Sequence, residues 1–261
     1  MARLTILTAK EIQALYGLPQ LSDEEQDAFF TLDVREKQQL DQLRNVTASV
    51  YFILHLGYFK AKKQFFVFEL QEVSDDVAHI LHRYFPGVTD LPTLIISKPT
   101  RLVQQEDILR LLDYQMCSQE WKKKLQEKAN KLVTIYTKPV YVFKELLNFL
   151  EHHRVVLPGY SFMQEEVIGK AMTGERKRLE QAVIGGIPEE QRIKLGNLLT
   201  AEESLYQLTL LKHEPKDFSY QEVQEEVGKR TLLADLYQLA TRFLPNLHIS
   251  NENITDLGRS K

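Results

Sequence analysis

Helix-capping signatures recur along this chain, and they constrain its fold more than any other feature. A hydroxyl residue is followed three positions later by a glutamate or glutamine in the pairs Thr8–Glu11, Ser22–Glu25 and Ser161–Gln164. Such pairs form capping boxes at helix N-termini. Because amphipathic segments with helical spacing follow them, the sequence predicts an all-α protein built as an array of small helical bundles.

Two regions rich in proline and glycine predict the borders between these bundles. Residues 86–99 contain three prolines, and a Gly-Gly-Ile-Pro run occupies 185–188. Such residues interrupt helices and mark loops. We therefore expect a first module over 1–88, a linker over 89–98, a second module over 99–184, a third module over 187–250 and a polar tail over 251–261. The tail is expected to fray or to continue into an absent C-terminal part.

The composition limits the class of protein. Cys117 is the only cysteine, so neither an intrachain disulfide nor a cysteine-based zinc cluster can form. The longest apolar stretch, residues 50–59, is far shorter than the ~20 residues that span a bilayer. We expect no membrane association and a reducing cytoplasmic location. The net charge of −3 gives no global electrostatic argument for nucleic-acid binding, so only local clusters of cations can support one.

Motifs of catalysis and metal binding are missing from the sequence. It contains no glycine-rich phosphate loop, no G-x-S-x-G elbow and no H-E-x-x-H helix. The neighbours His152 and His153 would point about 100° apart on a helix and would not converge on one ion. We interpret Asp75 and Asp76 as first-turn residues of a helix capped by Ser74. The sequence therefore predicts no catalytic residue, no metal and no cofactor in this chain.

Several cationic clusters are candidates for phosphate contacts. Lys60, Lys62 and Lys63 lie among aromatic residues between two predicted helices, and Lys98 and Arg101 flank Pro99 at a helix start. A third cluster consists of Arg176, Lys177 and Arg178. The lysines that follow Trp121 alternate with Glu120 and Glu127, which favours a solvated, ion-paired face instead.

The region Pro139–Met172 predicts a helix, a bend and a second helix. In a helix-turn-helix protein the second helix enters the major groove and reads base edges. We therefore predict that this unit is helix-turn-helix-like, although its connection, about residues 153–160, is longer than the usual tight turn. The DNA-binding residues predicted on the second helix are Tyr160, Ser161, Gln164 and Lys170.

Several unusual strings resemble the N-terminal region of transposases of the Tn-three family, which are replicative and bacterial. They are Arg3–Leu7, Ala14–Pro19, Tyr51–Leu54, Leu56–Lys62, Phe65–Phe68, Lys138–Tyr141 and Pro158–Phe162. The resemblance covers nearly the whole chain. It is more specific than the helical pattern, which any helical protein can show.

The resemblance implies a function for the chain. In that family the N-terminal region looks like an array of helical DNA-binding modules that recognise terminal inverted repeats, while a separate C-terminal DDE domain performs metal-dependent strand transfer. The expected partner is therefore double-stranded DNA at transposon ends, bound in the bacterial cytoplasm, with a second copy as a further partner through absent regions. The alternative to DNA binding is a helical scaffold for protein–protein interactions, and a metal-dependent nuclease is a third hypothesis.

Overall fold

A computed structural model of the chain describes residues 4–43, 45–88, 91, 95–198, 201–202, 205–206, 211, 214–243 and 245. The helices are α1 (Ala9–Tyr16), α2 (Asp23–Phe30), α3 (Val34–Leu40), α4 (Val46–Lys62), α5 (Ser74–Tyr84), α6 (Lys98–Leu112), α7 (Gln119–Leu132), α8 (Pro139–His152), α9 (Lys170–Gly186), α10 (Glu189–Leu198) and α11 (Tyr220–Phe243). A 3₁₀ helix (Leu70–Val73) precedes α5, and a π-helix (Phe162–Gly169) precedes α9.

The predicted all-α fold is confirmed. The described residues add only one short antiparallel pair, β1 (Ala201–Glu202) with β2 (Leu205–Tyr206). Among the same residues, no helix combines the length and the hydropathy that a bilayer crossing requires.

The chain divides into two compact units whose borders differ from the predicted ones. Unit 1 comprises Met1–Ala129 and Lys138–Lys170, and unit 2 comprises Asn130–Thr137 and Ala171–Lys261. The border predicted at 185–188 therefore lies within unit 2. The predicted tail lies outside the described residues, as do residues 89, 90 and 92–94 of the predicted linker.

The separation predicted between modules 1–88 and 99–184 is wrong because one hydrophobic core joins them. Ile108 and Leu109 of α6 belong to the same buried cluster as the apolar residues of α4. In addition, Gln104 donates its side-chain amide to the carbonyl of Ala48 at 2.7 Å. Prolines signalled a break in the helices, but burial between the flanking helices keeps both sides in one unit.

Helix caps agree with the sequence in the first part of the chain. The capping boxes at Thr8 and Ser22 are confirmed, and a third box at Asp33 begins α3. The cap predicted at Ser161 is wrong, because Ser161 has helical backbone angles and makes no capping hydrogen bond. The cap predicted at Ser74 is also wrong, since α5 already includes that residue and Val73 occupies the cap position.

Helix α4 forms the centre of unit 1. Every residue from Thr47 to Phe59 except Ala48 is buried, and α4 packs against α2, α5 and α6. A helix that is buried on all sides lacks a polar stripe, and the run Val50–Phe59 has the composition expected of one.

Gly57 of α4 lies where α2 crosses most closely. A Cβ atom at this position would stand 2.5 Å from Cε1 of Phe30 and closer still to its Cδ1. Real Cβ atoms do not approach ring carbons so closely, and Phe30 is itself fully buried. The glycine therefore permits the contact between the two helices.

Replacing Gly57 with alanine is expected to lower the free energy of unfolding by about 2 kcal/mol, because the steric cost of overpacking exceeds the gain in helix propensity. Urea unfolding followed by the fluorescence of Trp121 measures this change in unit 1. Gly159 also belongs to unit 1 and has open space around its Cα and no positive φ, so Gly159→Ala is the matched control and should be neutral or stabilising. A neutral Gly57→Ala variant would contradict the crossing geometry.

The connection between α8 and the next helix is a buried extended segment. Val155, Val156 and Leu157 are buried, and the backbone of this segment bonds to that of Gln115 in both directions at 2.9 Å. The amide of Leu157 also donates to the carbonyl of Lys63 at 3.0 Å. The connection is longer than a helix-turn-helix turn, and neighbouring backbone holds it in place.

Candidate nucleic-acid interface

The three lysines at the end of α4 have partners within unit 1. The Lys60 ammonium lies 2.8 Å from the Glu36 carboxylate, whose side chain is 4% exposed, and also donates to the Thr31 carbonyl at 3.2 Å. Lys62 donates to the carbonyl of Ala14. Lys63 donates to the carbonyl of Lys60 at 2.8 Å.

These contacts give the lysines structural roles that the sequence did not predict. The last carbonyls of a helix lack intrahelical donors. The side chains of Lys62 and Gln64 supply donors to α1, to the carbonyls of Ala14 and Leu15 respectively. The Lys60 ion pair is largely internal, whereas Lys62 and Lys63 are half-buried and retain further ammonium protons for a ligand.

A groove of about 420 Å³ runs beside these lysines. Its wall comes from α1, the end of α4, α8 and the extended segment that follows α8. The lining residues are Leu15, Lys60, Ala61, Lys62, Lys63, Leu147, Asn148, Leu150, Glu151, Val155 and Leu157. The groove therefore has an aliphatic floor and three lysines against one glutamate.

Helix α8 presents a polar face beside the groove. Its buried residues are Val142, Phe143, Leu146 and Leu150. Residues at spacings of three and four share one face of a helix, and the exposed ones on α8 are Tyr141, Lys144, Asn148, Glu151 and His152. Lys138 precedes the helix and places its ammonium 5.9 Å from the centre of the Tyr141 ring.

Lys144 also lies near the N-terminus of α1. Hydrogen bonds from Thr8 are the main cause that lowers the pKa of Glu11, and the charge of Lys144 contributes in the same direction. The polar face of α8 therefore carries a cation that faces α1.

The other side of α8 meets α7. The Trp121 ring lies 6.1 Å from that of Phe149 and 5.2 Å from that of His153. Lys124 places its ammonium 4.3 Å from the centre of the Trp121 ring, and Lys128 lies 6.0 Å from that of Phe149. Lys124 also pairs with Glu120 at 2.6 Å, as expected for an ion-paired face. Two cations thus rest on aromatic rings at this flank of α8.

The helix that begins at Tyr160 does not present the residues predicted for base reading. Gln164 is buried, and its amide donates to the carbonyl of Leu4 at 2.5 Å. The Tyr160 hydroxyl accepts from the amide of Leu7 at 3.3 Å, and Ser161 is exposed. Lys170 is paired with Glu166 at 2.6 Å.

The exposed part of this helix is acidic near its start. Glu165 and Glu166 are both exposed, whereas the buried side comprises Met163, Gln164, Val167 and Ile168. A buried glutamine does not reach a base edge, and adjacent carboxylates repel phosphates. The base-reading role predicted for Gln164 therefore does not fit its position in the structure.

Lys98 and Arg101, the cations predicted near the start of α6, have other surroundings. Lys98 is exposed at the first position of α6, where Ser97 supplies the helix cap by accepting from the Thr100 amide at 3.3 Å. Arg101 is half-buried and lies near His55. Neither residue lines the groove.

The arginine-rich cluster belongs to unit 2 and is partly ion-paired. Arg176 contacts Glu180 at 3.0 Å, and Arg178 makes two bonds to Glu175 at 2.7 and 2.8 Å. These bonds are the main cause that raises the pKa of Arg178. Lys177 is exposed between them.

Sequence reasoning missed the exposed residues of α8. Tyr141, Lys144 and Asn148 follow one another at spacings of three and four, and this was the available signal. The helix-turn-helix pattern alone points to the helix after α8 as the recognition helix.

The sequence matches a protein family described as a domain of unknown function, DUF4158, over residues 6–169. The match covers well over half of the chain and ends one residue before the end of unit 1. No curated protein matches the chain. The chain therefore belongs to the DUF4158 family.

Proposed function

We propose that this chain binds the terminal inverted repeats of a transposon, as the non-catalytic N-terminal part of a transposase related to the Tn-three family. The complex would form on double-stranded DNA in the bacterial cytoplasm. One observation carries the proposal: an exposed polar helix face, on α8, lies beside a lysine-lined groove. This arrangement combines groups that are able to read bases with groups that are able to hold phosphates, which supports the proposal.

Several of the strings that resemble the transposase family contact one another in unit 1, and two of them contribute Leu15 and Lys60–Lys62 to the groove. Ala14 accepts from Lys62, and the ring of Tyr16 lies 5.6 Å from that of Tyr160. Leu7 and Tyr160, which share a hydrogen bond, are 153 positions apart in the sequence. Strings that are distant in the chain are thus neighbours in unit 1, which supports a common role for them.

The side chains on the exposed face of α8 can form hydrogen bonds with base edges in a major groove. Asparagine can make two hydrogen bonds to adenine, and lysine can donate to guanine or to phosphate. Asn148 lies at the middle of the exposed face, and Lys144 lies one turn before it. We therefore assign base reading to Asn148 and either base or phosphate contact to Lys144.

The test compares the wild type with Asn148→Ala on two duplexes, the terminal repeat and a scrambled sequence of equal length. Losing a bidentate base contact costs about 1–3 kcal/mol, so affinity for the repeat should fall between about 5-fold and about 150-fold. Affinity for the scrambled duplex should not change. Fluorescence anisotropy across a salt series measures both affinities, and Gln38→Ala on the exposed side of α3 is the matched control.

Two results would count against this proposal. Equal affinity of the wild type for both duplexes would remove sequence-specific recognition by this chain. If the wild type prefers the repeat and Asn148→Ala keeps that preference, base reading by Asn148 would be excluded.

A protein-interaction scaffold is the second candidate, and one feature of unit 2 favours it. Helix α11 has no buried residue, and it exposes Tyr220 by 79%, Val227 by 61% and Tyr237 by 72%. Exposed apolar side chains that share a helix face can mark protein contacts, and Tyr220 and Val227, seven positions apart, share one face of α11. Concentration-dependent association in sedimentation experiments, without DNA binding at low salt, would favour the scaffold.

We propose no catalytic role for the chain. Within the part of the chain that the structure describes, no three or more His, Cys, Asp or Glu side chains are grouped so that they could hold a metal ion. Incubation of labelled DNA with the chain and magnesium or manganese tests for the nuclease alternative.

A further inference from the structure

We propose that α8 enters the major groove and that lysine pairs on its two flanks contact phosphates of opposite DNA strands. This inference rests on the proposed function and adds the mode of binding. It replaces the predicted recognition helix, the one that begins at Tyr160, with the helix before it.

The choice between the two helices follows from their exposed faces. On α8 the exposed residues include Tyr141, Lys144 and Asn148, which can donate hydrogen bonds. Near its start the following helix exposes Glu165 and also Glu166, which pairs with Lys170. Phosphates of both strands pass close to the exposed face of a helix that is seated in the major groove. Exposed carboxylates at that position oppose such an approach.

The flanks of α8 can be located from helical geometry. Successive residues on a helix are about 100° apart, so Leu147 and Phe149 lie on either side of Asn148. Leu147 lines the groove that also holds Lys62 and Lys63. Phe149 lies under the ammonium of Lys128, and its ring contacts that of Trp121 under Lys124. One pair of lysines therefore stands on each side of the exposed face.

This spacing matches duplex DNA. A helix with its side chains is about 10–12 Å across, and the major groove is about 12 Å wide. The walls of the major groove are the phosphate backbones of the two strands. A helix seated in the groove therefore brings cations on its left and right flanks to different strands.

Three carboxylates around α8 have partners within unit 1, and the one that pairs with a flank lysine does so in an exposed ion pair, which contributes little stability and which a phosphate can displace. Glu120 is paired with Lys124, and Glu151 accepts a hydrogen bond from Tyr114. That bond and, more strongly, burial raise the pKa of Tyr114 to about 12. Glu11 is bonded to Thr8, and Glu145 is half-buried on the flank towards α7. The ring faces under Lys124 and Lys128 are covered, so this flank offers charge to a phosphate and no free stacking surface to a base.

The experiment uses interference footprints of the full chain on the terminal-repeat duplex. Ethylation of phosphates and methylation of guanine N7, which lies in the major groove, are mapped for the wild type and for three double variants. These are Lys62→Met with Lys63→Met, Lys124→Met with Lys128→Met, and Arg35→Met with Lys37→Met. The last pair lies on α3 and removes the same charge elsewhere.

We expect N7 methylation to interfere in the wild type. Each flank variant should lose phosphate interference on one strand only, and the two variants should lose it on opposite strands. Each flank variant should also reduce, by about 2, the slope of the logarithm of affinity against the logarithm of salt concentration. The reason is that each lysine that contacts a phosphate releases about 0.9 of a counterion from the DNA. The α3 variant should keep the whole footprint. Lys62→Arg with Lys63→Arg should also keep it, which separates loss of charge from loss of fold.

Outcomes that overturn the mode of binding differ from those that overturn the function. The mode of binding would be refuted if the wild type prefers the repeat but N7 methylation does not interfere. It would also be refuted if both flank variants lose phosphate interference on the same strand. Either result would leave the proposed function intact. If the wild type shows no preference for the repeat, the proposed function is excluded. The salt dependence of binding to the scrambled duplex would then still test whether the lysines on the two flanks contact phosphates. If the wild type binds poly-glutamate as tightly as the duplex, and the Lys124 and Lys128 variant loses this binding, the α7 flank would be a site for an acidic protein. This result would overturn the inference.

Discussion

Replacing Asp76 with alanine is expected to lower the free energy of unfolding of unit 1 by about 4 kcal/mol, because two buried donors would lose their acceptor at about 1–3 kcal/mol each. The Asp76 carboxylate accepts from the Tyr58 hydroxyl at 2.5 Å and from the Gln26 amide at 2.7 Å. All three residues are buried, at the packing of α2, α4 and α5. Urea unfolding followed by Trp121 fluorescence reports on unit 1.

The protonation state of Tyr58 explains why removing the Asp76 carboxylate destabilises unit 1. Burial, and then the hydrogen bond to Asp76, raise the pKa of Tyr58, so it remains a phenol that must donate. Asn at position 76 keeps an acceptor of the same shape, so Asp76→Asn should cost about 1 kcal/mol and act as a partial rescue. In a double-mutant cycle with Tyr58→Phe, we expect a coupling energy of about 1–2 kcal/mol.

Asp75 is the matched control for Asp76. It is the preceding residue of the same type, but it is exposed at the start of α5. Its only expected contribution is that of an acidic group at a helix N-terminus, below ~1 kcal/mol. Equal costs for Asp75→Ala and Asp76→Ala would show that the buried network does not stabilise unit 1.

Asp75 and Asp76 also show which features could be predicted from the sequence and which could not. The sequence placed both aspartates in the first turn of a helix, which is where the structure has them. Only one helix face turns towards α2 and α4, and the sequence of α5 alone does not say which aspartate meets Tyr58. Local signals such as the Thr8 and Ser22 caps were predictable because their partners lie three residues away.

Non-local packing explains what the sequence did not predict. Prolines in 86–99 indicated a domain border, but burial of Ile108 and Leu109 against α4 overrides it. In the candidate site, Lys60 and Gln164 are bonded to Glu36 and Leu4, residues 24 and 160 positions away. A charge or a polar amide in the sequence does not reveal whether a distant segment will use it. The resemblance to transposases helped here because it identified strings that meet in the fold.

Acidification is expected to destabilise unit 1 through His55. This histidine is 2% exposed, and within the described residues neither of its ring nitrogens has a hydrogen-bond partner. Burial, and to a lesser extent the charge of Arg101, lowers the pKa of His55 to about 4. Its ring lies 5.0 Å from that of Phe68 and 6.1 Å from that of Tyr51, so the neutral form is the one that fits.

The direction of the pH effect follows from proton binding. The unfolded chain protonates His55 below about pH 6.5, whereas the folded chain does so only near pH 4. Unfolding therefore takes up a proton between these values, and the contribution of His55 to stability, complete above pH 6.5, is lost as the pH falls. A difference of this size corresponds to about 3 kcal/mol between pH 7 and pH 4.

A His55→Leu variant isolates this contribution from the carboxylates that also titrate in acid. Leucine removes both unpartnered nitrogens and cannot bind a proton, so its unfolding free energy should lack the His55 component of the pH dependence. The difference between variant and wild type, from urea unfolding followed by Trp121 fluorescence, should shift by about 3 kcal/mol in favour of the variant from pH 7 to pH 4. A constant difference would mean that water or a protonated partner reaches His55 in the folded chain. Its burial between α4 and the segment that carries Phe68 would then be incorrect.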